Sequence, residues 1–151
     1  MSRKFLVAVD GSEHGWKALD LAADLAKLAE AELVVVHVIR PEPVPKGLEE
    51  YARLEGIPPE ELRARYLEGR RIADRIIEDA IVRAHGKGAE RVRGKVLEGD
   101  TVEEIVNAAR AEGAEMLFVG SRGLSELRGL LLGSVSHKVL QLAPCTAVAV
   151  K

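Results

Sequence analysis

The chain has 151 residues, one cysteine and 30% charged side chains that balance to a net −2. That length predicts one domain, and the balance gives no global attraction for nucleic acid or acidic membranes, so neither is expected as a partner. A lone cysteine, Cys145, excludes an internal disulfide or a cysteine-rich zinc cluster and reads as a small buried hydrophobe. The first apolar run, Phe5 to Val9, stops at Asp10, too short for a signal-peptide core or a membrane span, and the expected location is cytoplasmic.

Phe5 to Val9, closed by Asp10-Gly11, has the pattern of a strand buried on both faces of a parallel sheet. Ser12 is placed to cap a helix in which Leu21, Leu25 and Leu28 recur at i, i+4 and i+7 beside Ala22, Ala26 and Ala29. That face is expected to pack on the sheet. Glu30 to Glu32 turn into a second strand, Leu33 to Val38, which carries His37 near its end. Prolines at 41, 43, 45, 58 and 59 then predict a long loop from Arg40 to Pro59, with a short helical turn around Leu48 to Leu54. Leu62, Tyr66, Ala73, Ile76, Ile77, Ala80, Ile81 and Ala84 follow at helical spacing, ended by Gly86 or Gly88.

Val92, Gly94 and Val96 alternate with Arg91, Arg93 and Lys95, which predicts an edge strand whose charges discourage further pairing. Asp100 reads as the cap of a helix with Glu103 placed to reach back and Val102, Ile105, Val106 and Ala109 as its buried face. A strand from Met116 to Val119, a glycine-rich loop, a helix from Ser134 to Leu142 and a strand from Thr146 to Val150 complete the chain. This alternation predicts a doubly wound five-stranded parallel α/β sheet with helices on both faces. The charged third strand belongs at an edge and the apolar first strand in the centre, which favours the order 3-2-1-4-5. Its topological switch then falls between strands one and four, where ligands of such sheets bind.

The chemistry concentrates between Gly120 and Ser136. Glycines at 120, 123, 129 and 133 leave backbone N–H groups unshielded, and Ser134 and Ser136 add hydroxyls where a helix begins. A helix start favours an anion by about 0.3–1 kcal/mol at an exposed site, although such glycines are also ordinary turn chemistry. Asp10 either caps the following helix or helps hold Mg²⁺ beside phosphates. Arg122 either pairs with phosphate or is a solvated loop arginine. His14, His37, His85 and His137 show no metal-ligand grouping. The signatures of serine hydrolases, P-loop enzymes and dinucleotide oxidoreductases are absent.

Gly120-x2-Gly123, nine residues, then Gly133-Ser134 resembles the nucleotide-binding signature of the ATP-binding branch of the universal stress protein family. The resemblance continues through Val9-Asp10-Gly11-Ser12, His37-Val38, Gly99-Asp100 and Ala143-Pro144-Cys145. Two positions depart from it: Gly15 stands where serine is common, and Thr146 follows Cys145 where proline is usual.

The resemblance implies an adenine nucleotide alpha hydrolase-like fold and a stress-response protein that holds ATP, with no catalytic residue assigned and at most slow hydrolysis. It implies nucleotide contacts from Ala8, Val9, Asp10, Ser12, Val38, Val119, Gly120, Ser121, Arg122, Gly123, Gly133, Ser134, Val135 and Ser136. Val38 would offer backbone groups to the adenine edge, its alternative being ordinary core, and Asp10 would meet Mg²⁺ through the nucleotide. An adenylate or phosphoryl transferase and a nucleotide-free dimeric scaffold are the rival readings. The apolar run Ala147 to Val150 would leave a bare sheet edge, so a homodimer through that strand is expected, as the resemblance also implies.

Overall fold

The computed structural model describes residues 2–40, 50, 53–56, 58–122 and 132–151, without the side chains of 59, 62, 63, 65 and 66. Most of the proline-rich loop, Gly123 and Gly129 lie outside the described residues. Five strands, β1 (Lys4–Ala8), β2 (Glu32–Ile39), β3 (Val92–Glu98), β4 (Met116–Gly120) and β5 (Thr146–Val150), form one parallel sheet in the order β3-β2-β1-β4-β5, as expected. Between them run α1 (Glu13–Ala29), α2 (Pro59–Gly86), α3 (Thr101–Glu112) and α4 (Ser134–Leu142).

The apolar runs bury on both faces because successive side chains alternate across a strand. Phe5, Val7, Leu33, Val35 and Phe118 face α1 and α2, while Leu6, Val34, Val36, Leu117 and Val119 face α3 and α4. Phe5 and Phe118 meet with ring centroids 6.0 Å apart at a tilt of 55°.

Two helices differ from expectation. The face of α1 that seats on the sheet is Ala18, Leu19, Ala22, Ala23 and Ala26, whereas Leu21 and Leu28 are 36% and 79% exposed. A strip of alanines lets the helix axis approach the strands closely, and rotating the leucines inward would hold it away. Arg83 of α2 grips the far flank of α1 through both oxygens of Asp20, at 2.7 and 2.9 Å, and lies over the Trp16 ring. Leu21 and Leu28 thus project on the flank away from α2. The second difference is that α2 begins at Pro59, because proline at the first helical position has the required φ and lacks a donor that the helix would leave unpaired.

The alternation of β3 does place it at an edge, and Gly94 lets α2 sit directly on it: a Cβ there would lie 2.3 Å from Ile77. Its positive side chains have more to do than guard that edge. Arg93 donates to Glu32 at 2.6 Å and to Glu112 at 2.6 Å, and Lys95 reaches Glu112 at 2.7 Å. Lys4 of β1 also approaches Glu112, at 3.4 Å. These contacts clamp the end of α3 to three strands. Cys145 is only partly buried, and that burial pushes its thiol up. Among the described residues no helix is long and apolar enough to cross a membrane.

Hydrogen bonds from Arg93 and then Lys95 hold the Glu112 carboxyl at about 2, below its ordinary 4.5. A depressed folded-state value means that the contribution is complete above about pH 4.5 and is lost as the pH falls toward about 2. The partners are nearly half exposed, so solvent screens the cluster. Glu112→Gln is expected to cost about 1–2 kcal/mol at pH 7. Urea unfolding at pH 7 and pH 3 checks this: the gap between variant and parent should narrow at the lower pH.

Candidate functional site at the strand switch

Neighbouring strands β1 and β4 send their chains to opposite faces of the sheet, β1 into α1 and β4 toward α4. Beyond their carboxyl ends this leaves a crevice of about 330 Å³, near the lower limit of small-molecule sites. Ala8, Val9, Asp10, Val38, Val119, Gly120, Arg122, Gly133, Ser134, Val135 and Ser136 line it, all named from the sequence. Ser12 and Ser121 do not line it and are buried behind it, and Gly123 lies outside the described residues. Gly15, His37, Arg40, Thr101 and Ile105 also line the crevice and were not singled out as site residues.

The entrance of α1 is a closed hydrogen-bond chain. Gly11, at φ +85°, turns the backbone so that Asp10 Oδ1 accepts from the Ser12 N–H at 2.9 Å and from the Ser12 hydroxyl. Ser12 is the N-cap, and its oxygen accepts from the Gly15 N–H at 3.1 Å. A Cβ on Gly15 would come within 2.9 Å of Asp10 Oδ1, so glycine at this departure from the family pattern leaves room for the carboxylate. Gly120 is tighter still. Its Cβ would stand 2.7 Å from the His14 carbonyl carbon and 2.8 Å from the Gly15 nitrogen, so the end of β4 lies against the first turn of α1.

Behind the crevice, the Arg122 guanidinium donates to His14 Nε2 at 3.2 Å while His14 Nδ1 lies 2.9 Å from the Ser121 hydroxyl. Arginine only donates, so Nε2 is bare and the proton of the neutral ring sits on Nδ1. His37 Nδ1 donates to the Val9 carbonyl at 2.7 Å. The buried Ser136 hydroxyl donates to the Ser121 carbonyl at 2.8 Å, and Gly133 N–H reaches the same carbonyl at 2.5 Å. Ser136 therefore pins the start of α4.

Whereas α1 and α3 are capped by Ser12 and Asp100, the N-cap of α4 is Gly133, which has no side chain to cap with. Its first-turn residues Ser134, Val135 and Ser136 border the crevice, which therefore meets the positive end of a helix dipole. Val38, Ile105 and Val119 make another part of the wall apolar. At the rim, Arg40 lies 3.1 Å from Asp100. The backbone bond from Glu103, and then Arg40, keep the Asp100 carboxyl below its usual range. Among the described residues there is no cluster of three or more His, Cys, Asp or Glu side chains able to hold a metal ion.

Fold and crevice together define a doubly wound α/β protein with an open cleft at its switch point. Over residues 1–151 the chain matches the Universal stress protein family, and it belongs to that family. It is 38% identical over 156 aligned positions to the universal stress protein YxiE of Bacillus subtilis, covering all of both chains. It is 35% identical over 151 positions to a universal stress protein of Thermus aquaticus, again over the full length of both. A universal stress protein solved in complex with cAMP superposes with a TM-score of 0.68 at 26% identity, covering 99% of this chain and 96% of that one.

The contact at Gly120 is directly testable. Gly120→Ala should lose about 1–3 kcal/mol of stability, because the atoms it meets are backbone of α1 and cannot swing away. Gly69→Ala, in α2 with nothing within 4 Å, should instead gain about 0.5–1 kcal/mol. Denaturant midpoints of the two variants check the contrast.

Proposed function

We propose that this chain is a regulatory nucleotide-binding protein of the stress response that holds ATP with Mg²⁺ in the crevice between β1 and β4. The observation that carries the reading is the start of α4 at Gly133, a glycine cap whose first turn borders a partly apolar cleft at the switch point. A helix start without a side-chain cap favours an anion, and an apolar wall favours a purine ring. The relative bound to cAMP supports an adenine nucleotide here. In this reading the base lies against Val38, and the phosphates lie along Gly120 and Gly133 to Ser136. Ser12 and Ser121 act through the residues that they hold, Arg122 pairs with phosphate oxygens, and Gly123 is kept as a contact on the resemblance alone.

The residues fit Mg²⁺ that arrives with the nucleotide. Asp10 borders the crevice and gives one oxygen to Ser12, while Mg²⁺ typically takes one or two carboxylates together with phosphates and water. A metal bridging Asp10 and the phosphates would offset their repulsion. Turnover is expected to be slow, since Asp10 and His37 are both committed to local hydrogen bonds.

Native mass spectrometry of undialysed protein tests this function. Retained ATP supports it, ADP or AMP with phosphate release favours a transferase or ATPase, and absence of ligand favours a scaffold. For the metal, Asp10→Asn is expected to abolish most of the Mg²⁺ dependence of ATP affinity while leaving metal-free affinity equal or higher. Titrations with and without Mg²⁺ read this, and unchanged metal dependence returns Asp10 to organising the α1 start.

A homodimer through β5 is part of the same proposal. β5 is an edge strand whose Ala147 to Val150 are only partly covered, and exposed Leu21 and Leu28 project from α1 on the flank away from α2. The Val150 carbonyl accepts from Ser121, so by alternation Val148 and Val150 point their backbone groups at β4 while Ala147 and Ala149 point theirs outward. Ala149→Pro removes an outward donor at little cost to the sheet. Light scattering at micromolar concentration is expected to show a dimer for the parent and a monomer for this variant.

A further inference from the structure

Beside the crevice, a groove of about 530 Å³ runs between α3 and α4. The two cavities share Arg40, Thr101, Ser134 and Val135 as lining, so the end of the crevice at the α4 start opens into the groove. Its walls are ridges spaced by about one helical turn, Val102, Val106 and Arg110 on α3 facing Val135, Lys138 and Leu142 on α4. Leu142 is 58% exposed, which is unusual for a leucine already lining a cavity. Arg110 makes a 3.4 Å contact with Asn107, Lys138 acts electrostatically on Asp100, and the lining also holds Glu103 and the Arg40–Asp100 pair. An apolar strip thus lies beside three cations and two carboxylates, a lining of net positive charge continuous with the place where the proposed function puts the phosphates.

We propose that the groove is a second subsite for an adenine nucleotide whose terminal phosphate carries another nucleoside, that is, a dinucleoside polyphosphate. This rests on the reading of the crevice as an adenine nucleotide site. The extra phosphates pass Ser134 and Val135 and meet Lys138 and Arg110, and the second nucleoside covers Val102, Val106 and Leu142 with Asn107 at its polar edge. A long acyl substituent fits less well, because most of the groove lining is polar or charged. Free ATP leaves this surface uncovered, so the groove separates one-headed from two-headed nucleotides.

The test is calorimetric titration of the full chain with Mg²⁺ and either ATP or diadenosine tetraphosphate. The parent is expected to bind the dinucleotide about tenfold more tightly than ATP, the scale of one well-placed additional contact region. The double variant Arg110→Ala/Lys138→Ala should bring the two affinities within about twofold to threefold of one another, through loss on the dinucleotide side. Asn107→Trp, an exposed position that blocks the groove without touching the core, should do the same and guards against a misfolded double variant. If ATP binds but the dinucleotide binds no more tightly, or if its advantage survives both variants, the second subsite is wrong and the crevice reading stands. If neither ligand binds the folded parent, the crevice reading falls and this inference falls with it.

Discussion

The close approach of α1 to the end of β4 is the constraint on which the rest of the site depends. Gly120 and Gly15 are the two residues that permit it, since a Cβ on either would stand within 3 Å of an atom across the contact or in the turn before it. With that gap closed, Asp10, the α1 cap and the β4 terminus converge on one point. His14 then lies within hydrogen-bond distance of Ser121 and Arg122, and the Ser121 carbonyl collects the start of α4. Close packing at two glycines therefore sets the position of the helix start proposed to meet the phosphates.

Charge is arranged differently at the two ends of the sheet. At the amino ends of the strands, Lys4, Arg93 and Lys95 pair with Glu32 and Glu112 in a half-shielded cluster that ties α3 to three strands. At the carboxyl ends, Asp10 is the one carboxylate among the described residues that line the crevice, beside a helix start whose cap is glycine. An acid-sensitive clamp thus lies at the opposite end of the sheet from the cleft, so loss of stability at low pH is separable from the binding proposed for the cleft.

Much of this was legible in the sequence because it depends on local pattern. A parallel strand buried on both faces is an apolar run ending at a charge or glycine, and the charged alternation of β3 sends it to the edge, which leaves few orders to choose from. The Asp100 cap was legible because capping chemistry is local. On α1, the expected Ala22 and Ala26 are buried and Leu25 packs against the core, and what failed was the placing of Leu21 and Leu28 on that face. Leucines outrank alanines in hydrophobicity, but close seating on the sheet selects the smaller side chains, and nothing within a helical window reports that distance.

The same limit applied to the site. His37, Arg40, Thr101 and Ile105 reach the crevice from β2 and α3, elements that meet β4 only once the sheet has closed, so no spacing along the chain marks them as a group. The nearest signal was the Gly99-Asp100 landmark, one residue before Thr101. Sequence also cannot say whether a serine hydroxyl turns toward a ligand or pins a backbone, and Ser12, Ser121 and Ser136 all spend theirs within the protein.

Backbone amide shifts on adding ATP with Mg²⁺ report where a ligand sits without a substitution or an activity. Saturable changes are expected to concentrate at Val38, Gly120 and Gly133 to Ser136, with the cluster around Glu112 unmoved. Changes centred elsewhere on the sheet, or none at millimolar ATP, would contradict a nucleotide site in the crevice.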